Sequence, residues 1–211
     1  MNAPCVVCNG AAIYDFAVGA YLETALLPEK TRERGQQVLD RFPRVGVEAY
    51  HVDNVIHAVH VNDIIRAHEH LTGVGVEEKS RLTEVPLPLG KLLFEAEHED
   101  LLQAEAFIRD QDWISEYELI YSGKTLLELT AKGADKGGML LRLAERLGVA
   151  PEHIYAVGDE RNDLTMLASA AVGFAPANCV SDVAASGARI VCDARGDALA
   201  EVVAALEERY S

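Results

Sequence analysis

The stretch that most constrains the fold begins after Gly133, where short apolar runs alternate strictly with helix-like segments. The amphipathic segment "KGGMLLRLAERLGV" precedes the apolar run "HIYAVGD", and the alternation continues to the final segment "GDALAEVVAALEERY". Strands that are almost continuously apolar are buried on both faces, and parallel neighbours need a crossover between them. The pattern therefore predicts an α/β class with a doubly wound parallel sheet covered by helices.

The residues before this stretch have a different pattern, typical of an α+β domain. "VGVEAYHVDNVIHAVHV" alternates apolar and polar residues on either side of Asp53-Asn54, which predicts a β-hairpin. The segment that follows predicts a short helix with Asn62 as its N-cap and Gly73 as its end. From Pro86 the order strand, helix, strand, strand completes an antiparallel sheet with helices on one face.

These two patterns predict how the chain divides. We expect an α+β domain over 16–129, inserted into an α/β part formed by 1–15 and 130–211. The 211 residues are 49% hydrophobic, which is ample for a core in one globular unit or two small ones.

Composition also narrows the partners and the location. The net charge of -15 argues against nucleic acid, because phosphate contacts need clustered Lys and Arg. An anionic substrate would have to be held by a local cation. No apolar run approaches the roughly 20 residues of a membrane helix, and the start lacks a signal-peptide pattern. We therefore predict a cytoplasmic protein without a membrane partner.

The cysteines admit two interpretations. Three of the four lie in or beside apolar runs, which favours buried, reduced thiols over a redox or metal pair. Cys5 and Cys8 form a CxxC, so a metal-binding module that uses them with a histidine is an alternative. The remaining two are Cys179 and Cys192.

Chemically capable side chains gather where the α/β pattern places strand ends and helix starts. Asp159 closes an apolar strand, at the edge where open α/β sheets bind ligands. Asn162 and Asp163 open the next helix, whose free N–H groups favour an anion. Lys136 opens the preceding helix. Together these residues predict a site for a phosphoryl group and Mg²⁺, although Asp163 alone could be a helix N-terminal acid and Lys136 a solvated lysine.

Several segments, in order, resemble one family. "GDERNDLTML" resembles the fourth motif, GDxxNDxxML, of the haloacid dehalogenase-like (HAD) phosphatases, and "ADKGGML" resembles their lysine motif. "NGAAIYD" is similar to the entry into the cap of the Cof-type members. The resemblance spans the whole chain and implies a Rossmann-like HAD core, incomplete at its N-terminus, with a type IIB cap at 16–129.

The resemblance also implies residue roles. Asp159 would be a ligand of the cofactor Mg²⁺, and Lys136 and Asn162 would contact the phosphoryl group. Asp163 would support that arrangement by hydrogen bonding, so that Lys136 and Asp163 are the expected catalytic residues. Asn178, in a segment that resembles the family's "VAMGNA", would line the same crevice.

The implied activity is that of a Mg²⁺-dependent phosphatase acting on a small phosphorylated metabolite, such as a sugar phosphate, through an aspartyl-phosphate. The family's nucleophile lies in an N-terminal DxD segment, and the sequence contains no DxDG. We therefore expect no appreciable phosphatase activity from the 211 residues alone. The alternative function is an inactive remnant that binds phosphate or regulates another protein.

The absent strands have a structural consequence as well. By this alignment the chain begins at the third strand of the core, which leaves the strand "IYAVG" with an exposed apolar edge. Three alternatives would account for the absent strands. Either the sequence is that of a truncated phosphatase, or "PCVVCN" shifts to pair beside "IYAVG", or a second chain covers the exposed edge in a homo-oligomer.

Overall fold

The computed structural model describes residues 3–51 and 55–210, and the chain divides into two compact units, Met1–Ala134 and Asp135–Ser211. The helices and strands of the first unit follow in chain order. They are β1 (Cys5–Val7), β2 (Ala12–Asp15), β3 (Ala20–Thr24), α1 (Thr31–Arg41), β4 (Gly46–Tyr50), β5 (Ile56–Val59), α2 (Asp63–Thr72), β6 (Glu77–Glu78), β7 (Lys91–Glu95), α3 (His98–Arg109), β8 (Tyr117–Gly123) and β9 (Leu126–Ala131).

A six-stranded sheet in the order β6-β5-β4-β7-β9-β8 forms the centre of the first unit. Side chains alternate between the two faces of a strand. On one face, apolar residues of the central strands pack with α1 and α3 into the main core; they are Val47, Ala49, Leu92, Phe94, Leu127 and Leu129. The sheet thus follows the predicted α+β pattern, with antiparallel pairing throughout its centre.

The opposite face of the same sheet is polar and nonetheless buried. Its buried polar side chains on β4, β7 and β9 are Glu48, Lys91, Glu95, Glu128 and Thr130. Burial is the main cause that raises the pKa of Glu95 to about 8, and the charge of Glu48 adds to it. A fully buried carboxyl therefore lies in the sheet without the solvation that such a group normally has.

Local signals placed several elements correctly. The side chain of Asn62 caps α2, where it accepts hydrogen bonds from the backbone N–H groups of Ile64 (3.1 Å) and Ile65 (3.0 Å). Gly73 ends the helix in the left-handed conformation with φ of 69°, as predicted. The hairpin is confirmed by the antiparallel pairing of β4 with β5, while its predicted turn at Asp53-Asn54 lies outside the described residues.

The second unit alternates helices with parallel strands. Its elements are α4 (Lys136–Leu147), β10 (Tyr155–Val157), α5 (Leu164–Ser169), β11 (Val172–Pro176), α6 (Ser181–Ala184), β12 (Arg189–Val191) and α7 (Ala198–Tyr210). The strands form one parallel sheet in the order β10-β11-β12. This arrangement confirms the predicted α/β class.

Helices cover both faces of this sheet, as a doubly wound arrangement requires. Phe174 and Ala175 are neighbours in β11 and therefore point to opposite faces. Phe174 packs with Ala198 and Val202 of α7, whereas Ala175 packs with Leu167 of α5 and with residues around α6. Burial on both faces explains why β11 is apolar without alternation.

The N-terminal strands differ from one of the three expectations. Val6 of β1 pairs antiparallel with Ile13 of β2, and β1, β2 and β3 form their own three-stranded sheet. The shift of "PCVVCN" to the side of β10 is therefore wrong. Residues 5–15 belong to the unit Met1–Ala134 by contacts, and the assignment of 1–15 to the α/β part stays a prediction.

Strand β10 lies at the edge of the parallel sheet. Val157, its last residue, is 38% exposed, whereas Ile154 and Ala156 are buried, so an exposed apolar edge stays a prediction. That a second chain covers this edge in a homo-oligomer stays a prediction. No helix in the described part of the chain is both long and apolar enough to cross a membrane.

The cysteines are all free thiols, but they are less buried than predicted. Cys8 is exposed, and the other three are half-buried. Within residues 3–51 and 55–210, the one cluster of three potential metal ligands contains no cysteine. Within the described residues, Cys5 and Cys8 therefore have no third ligand that would complete a metal site.

Candidate functional site

The carboxyl end of β10 presents Asp159 to solvent. Strand β10 ends at Val157, and Gly158 makes the turn possible because a Cβ there would lie 2.4 Å from Cβ of Asp163. Both backbone polar groups of Asp159 are hydrogen-bonded. Its carbonyl accepts from the N–H of Val180 at 3.0 Å, and its N–H donates to Oδ2 of Asp163 at 3.0 Å. Its side chain is exposed, and no described group engages the carboxylate. The strand end therefore offers a free carboxylate on a held backbone.

Asp163 is buried and joins three parts of the unit. One carboxylate oxygen, Oδ2, accepts hydrogen bonds from the backbone N–H groups of Asp159 (3.0 Å) and Glu160 (3.1 Å). The other, Oδ1, accepts from Nζ of Lys136 at 2.6 Å. Asp163 thus ties the end of β10 to the first residue of α4. The sequence interpretation of a helix N-terminal acid describes only part of what it contacts.

Lys136 is held at the start of α4 by two further features. The side chain of Asp135 caps the helix by accepting from Gly138 N at 2.9 Å. Gly137 lies so close to α5 that an added Cβ would lie 2.3 Å from the backbone oxygen of Thr165. Its own N–H donates to Oγ1 of Thr165 at 3.1 Å. This close approach brings the lysine to the helix that Asp163 precedes.

The electrostatics of this arrangement favour a bound anion beside a cation. A lysine ammonium has three N–H donors, and Asp163 occupies one of them. The side chain of Lys136 is 24% exposed, so the remaining donors can reach a ligand. The Asp159 carboxylate supplies a hard oxygen donor of the kind that Mg²⁺ prefers. Both oxygens of Asp163 are occupied, which suits a supporting residue better than a metal ligand.

The two asparagines stand in different surroundings. Asn162 is buried in the short helical turn Arg161–Asp163. Asn178 is exposed, and its Oδ1 accepts a hydrogen bond from the backbone N–H of Ala194 at 2.9 Å. Asn178 therefore fixes the loop after β12 with one end of its side chain. Contact of either asparagine with a phosphoryl group stays a prediction.

Sequence reasoning missed the residues that support this site. Asp135 caps helix α4, which begins with Lys136, and Glu160 caps the short helical turn that contains Asp163. Both immediately precede a helical turn, where an acidic side chain is a recognisable capping signal. Thr165 gave no such signal, because its contact with Gly137 joins two helices that are distant in sequence.

Comparison with known proteins matches residues 1–203 to the family described as haloacid dehalogenase-like hydrolase. Pyridoxal phosphate phosphatase YbhA of Escherichia coli (strain K12) is 24% identical over 211 residues, which cover 96% of this chain and 77% of that protein. The solved structure of SMU.1108c from Streptococcus mutans UA159 has a TM-score of 0.83 at 19% identity, over 97% of this chain and 77% of that chain.

A further solved structure carries a more specific description. The HAD subclass IIB sugar phosphatase BT4131 has a TM-score of 0.82 at 16% identity, over 97% of this chain and 75% of that chain. At these identities the structural likenesses show the fold. The chain spans about three quarters of the length of each of these proteins.

Proposed function

The chain belongs to the haloacid dehalogenase-like hydrolase family, and from this premise we propose that it carries the magnesium-binding and phosphate-binding part of a Cof-type phosphatase. The observation that supports the proposal most strongly is the bridging position of Asp163. Its carboxylate contacts the Lys136 amine and the backbone of Asp159 at once. Lys136, Asp159 and Asp163, three of the residues to which the family resemblance assigns roles, thus belong to one hydrogen-bonded group.

Each residue has a distinct part in this proposal. The Asp159 carboxylate would hold Mg²⁺, which when bound neutralises negative charge on the phosphoryl oxygens. Lys136, oriented by Asp163, would donate hydrogen bonds to a phosphoryl oxygen. Asn162 would add a polar contact at the helix start, where backbone N–H groups also favour an anion. Positioning and charge neutralisation supply most of the rate in phosphoryl transfer.

The substrate class follows from chemistry and from the relatives together. A protein with a net charge of -15 repels anions unless local cations hold them. In this proposal the cations are the ammonium group of Lys136 and the Mg²⁺ that Asp159 would hold. The relatives are a pyridoxal phosphate phosphatase and a sugar phosphatase by name. We therefore propose a small phosphorylated metabolite of this kind, such as a sugar phosphate.

The nucleophile is the part that this site does not offer. The sequence contains no DxDG, both oxygens of Asp163 are engaged, and the free carboxylate of Asp159 is the proposed Mg²⁺ ligand, so none of these supplies the aspartate that attacks phosphorus. This observation favours a second candidate function, in which the 211 residues bind phosphate without forming the aspartyl-phosphate. The two candidate functions predict the same phosphate binding, but only the phosphatase predicts turnover.

A turnover assay separates the two candidate functions. We expect the 211-residue chain, assayed with p-nitrophenyl phosphate and MgCl₂, to release no more product than its Asp159→Asn variant. The reason is that the aspartyl-phosphate cannot form without a nucleophilic aspartate, even where phosphate and Mg²⁺ are bound. Magnesium-dependent turnover that disappears in Asp159→Asn would show that this chain supplies its own nucleophile, and the non-catalytic function would be wrong.

Phosphate binding tests the site whether or not turnover occurs. In Lys136→Met we expect the affinity for inorganic phosphate with MgCl₂, measured by calorimetry, to fall about 10-fold or more, because a charge-assisted hydrogen bond is lost. Lys132→Met, which removes an exposed lysine paired with Glu118 in the other unit, should bind phosphate as the wild type does. Equal affinity in wild type and Lys136→Met would contradict the proposed role.

A further inference from the structure

A second group of potential ligands lies in the first unit, on the buried polar face of its six-stranded sheet. Glu48 of β4 lies opposite Leu93 of β7, and Glu95 lies two residues further along the same strand. Residues two apart on a strand share a face, so the two acids are diagonal neighbours. His68 of α2 completes the group, and one ligand atom from each of the three lies within 4.8 Å of the others.

The local sequence makes room for this convergence. Gly46 lies opposite Glu95 in the sheet, directly beneath α2. A Cβ at this position would lie 2.6 Å from Cδ1 of Ile65, a fully buried residue of α2. Glycine therefore lets α2 approach the sheet closely enough for His68 to reach the two carboxylates.

The distances within the group suit a small divalent cation. Nδ1 of His68 lies 3.2 Å from Oε2 of Glu48 and 3.4 Å from Oε1 of Glu95. A tetrahedral ion with bonds of roughly 2.0–2.1 Å requires its ligand atoms to be about 3.3 Å apart. The imidazole nitrogen therefore lies from each carboxylate oxygen at the separation of two ligands around one zinc-sized ion, and the two oxygens lie within 4.8 Å of each other.

Glu95 is the member of the group that most needs such a partner. Its side chain is fully buried, and neither of its carboxylate oxygens accepts a hydrogen bond. Nδ1 of His68 is likewise buried and makes no hydrogen bond. The nearby Lys91 is engaged by Glu128 at 3.2 Å. A buried carboxylate and imidazole that point at each other without a hydrogen bond are characteristic of ligands that a cation would satisfy.

From these contacts we propose that Glu48, His68 and Glu95 form a binding site for one divalent transition-metal ion of the Zn²⁺ class. An imidazole ligand favours Zn²⁺ and related ions over Mg²⁺ and Ca²⁺, which take oxygen ligands. This site is separate from the proposed phosphatase residues, which all lie in Asp135–Ser211. Its presence does not depend on the proposed function.

The surroundings supply the orientation and the access that a metal site needs. The hydroxyl of Tyr50 donates a hydrogen bond at 2.5 Å to Oε2 of Glu48, the oxygen that faces His68, and so orients the carboxylate. His68 also lines a surface groove of about 330 Å³, together with residues of α2 and of the turn before β9. The groove provides an entry path for the ion and room for water at a fourth position.

Calorimetric titration of the full chain with ZnCl₂ tests this proposal. MgCl₂ is present in excess, so that the oxygen ligands of the second unit are occupied by the harder ion. We expect one high-affinity Zn²⁺ per wild-type chain, with affinity reduced at least about 10-fold in His68→Ala and in Glu95→Gln. His70→Ala removes an exposed histidine two residues away on the same helix and should bind Zn²⁺ as the wild type does.

Two further measurements make the result decisive. Glu95→Gln keeps the shape of the side chain and removes a carboxyl that burial already disfavours in its charged form, so without metal it should be at least as stable as the wild type. Co²⁺ in place of Zn²⁺ should give no thiolate-to-metal charge-transfer band, which a site at Cys5 and Cys8 would produce. The proposal is overturned if the wild type binds no Zn²⁺, if Glu95→Gln binds it equally well, or if the thiolate band appears.

Discussion

Replacing Asp163 with alanine is expected to lower the free energy of unfolding of the unit Asp135–Ser211 by about 3 kcal/mol. The substitution leaves the ammonium group of Lys136 without its partner at 2.6 Å. It also removes the acceptor of two backbone N–H groups, those of Asp159 and Glu160. Because the Asp163 side chain is only 7% exposed, water replaces these contacts incompletely.

The measurement must follow the second unit by itself. Trp113, the single tryptophan, lies in Met1–Ala134, so its fluorescence reports on the other unit. Hydrogen exchange resolved by peptide, at increasing urea, gives the opening free energy of α4 and β10 directly. Asp163→Ala should lower the protection of these peptides and leave those of β4 and β7 unchanged.

An exposed acid of the same unit provides the matched control. Asp182 pairs with Arg161 at 2.7 Å, and both side chains are largely exposed. Exposed ion pairs contribute about 0.2–1 kcal/mol, so Asp182→Ala should change stability by no more than that. If Asp163→Ala and Asp182→Ala prove equally mild, Asp163 is an ordinary helix N-terminal acid and does not organise the site.

The sequence predicted best what is determined by neighbouring residues. Asn62 and Gly73 predict the two ends of helix α2, because a cap and a left-handed glycine act within a few residues of the helix ends. The parallel sheet was predicted for a similar reason, since strands buried on both faces are apolar throughout. The sequence also identifies Lys136 and Asp163 as candidate site residues, because strand ends and helix starts of an α/β sheet occupy one edge.

Contacts between distant elements could not be predicted in the same way. Glu48, His68 and Glu95 come from β4, α2 and β7, and each looks like a solvent-facing residue in its own segment. Their convergence depends on the register of β4 with β7 and on the close approach of α2 at Gly46. Pairing of β1 with β2 is a further example, because alternation alone does not name a strand's partner.

The contrast between Asp159 and Asp163 separates binding from support within the proposed phosphatase site. Asp163 uses both carboxylate oxygens to hold the backbone and Lys136. Asp159 is held through its backbone N–H and carbonyl, which leaves its side chain exposed. Substitution of Asp163 should therefore lower stability, whereas substitution of Asp159 should weaken ligand binding.

Asp159→Asn is accordingly expected to weaken Mg²⁺ binding about 100-fold while stability changes by less than about 0.5 kcal/mol. Asparagine keeps the backbone contacts with Asp163 and Val180, and it removes the negative charge that a hard cation requires. Calorimetric titration with MgCl₂ in the presence of inorganic phosphate measures the first effect. Hydrogen exchange of the α4 and β10 peptides measures the second.

Two controls assign this effect to Asp159 itself. Asp182→Asn removes an exposed acid from the same unit and should leave Mg²⁺ binding unchanged, which excludes a general effect of net charge. His68→Ala removes a proposed ligand in the other unit and should also bind Mg²⁺ normally, because the two sites are separate. Mg²⁺ affinity that is the same in wild type and Asp159→Asn would show that the free carboxylate at the end of β10 is not the metal ligand. The phosphatase site proposed for Lys136, Asp159 and Asn162 would then lack its cation.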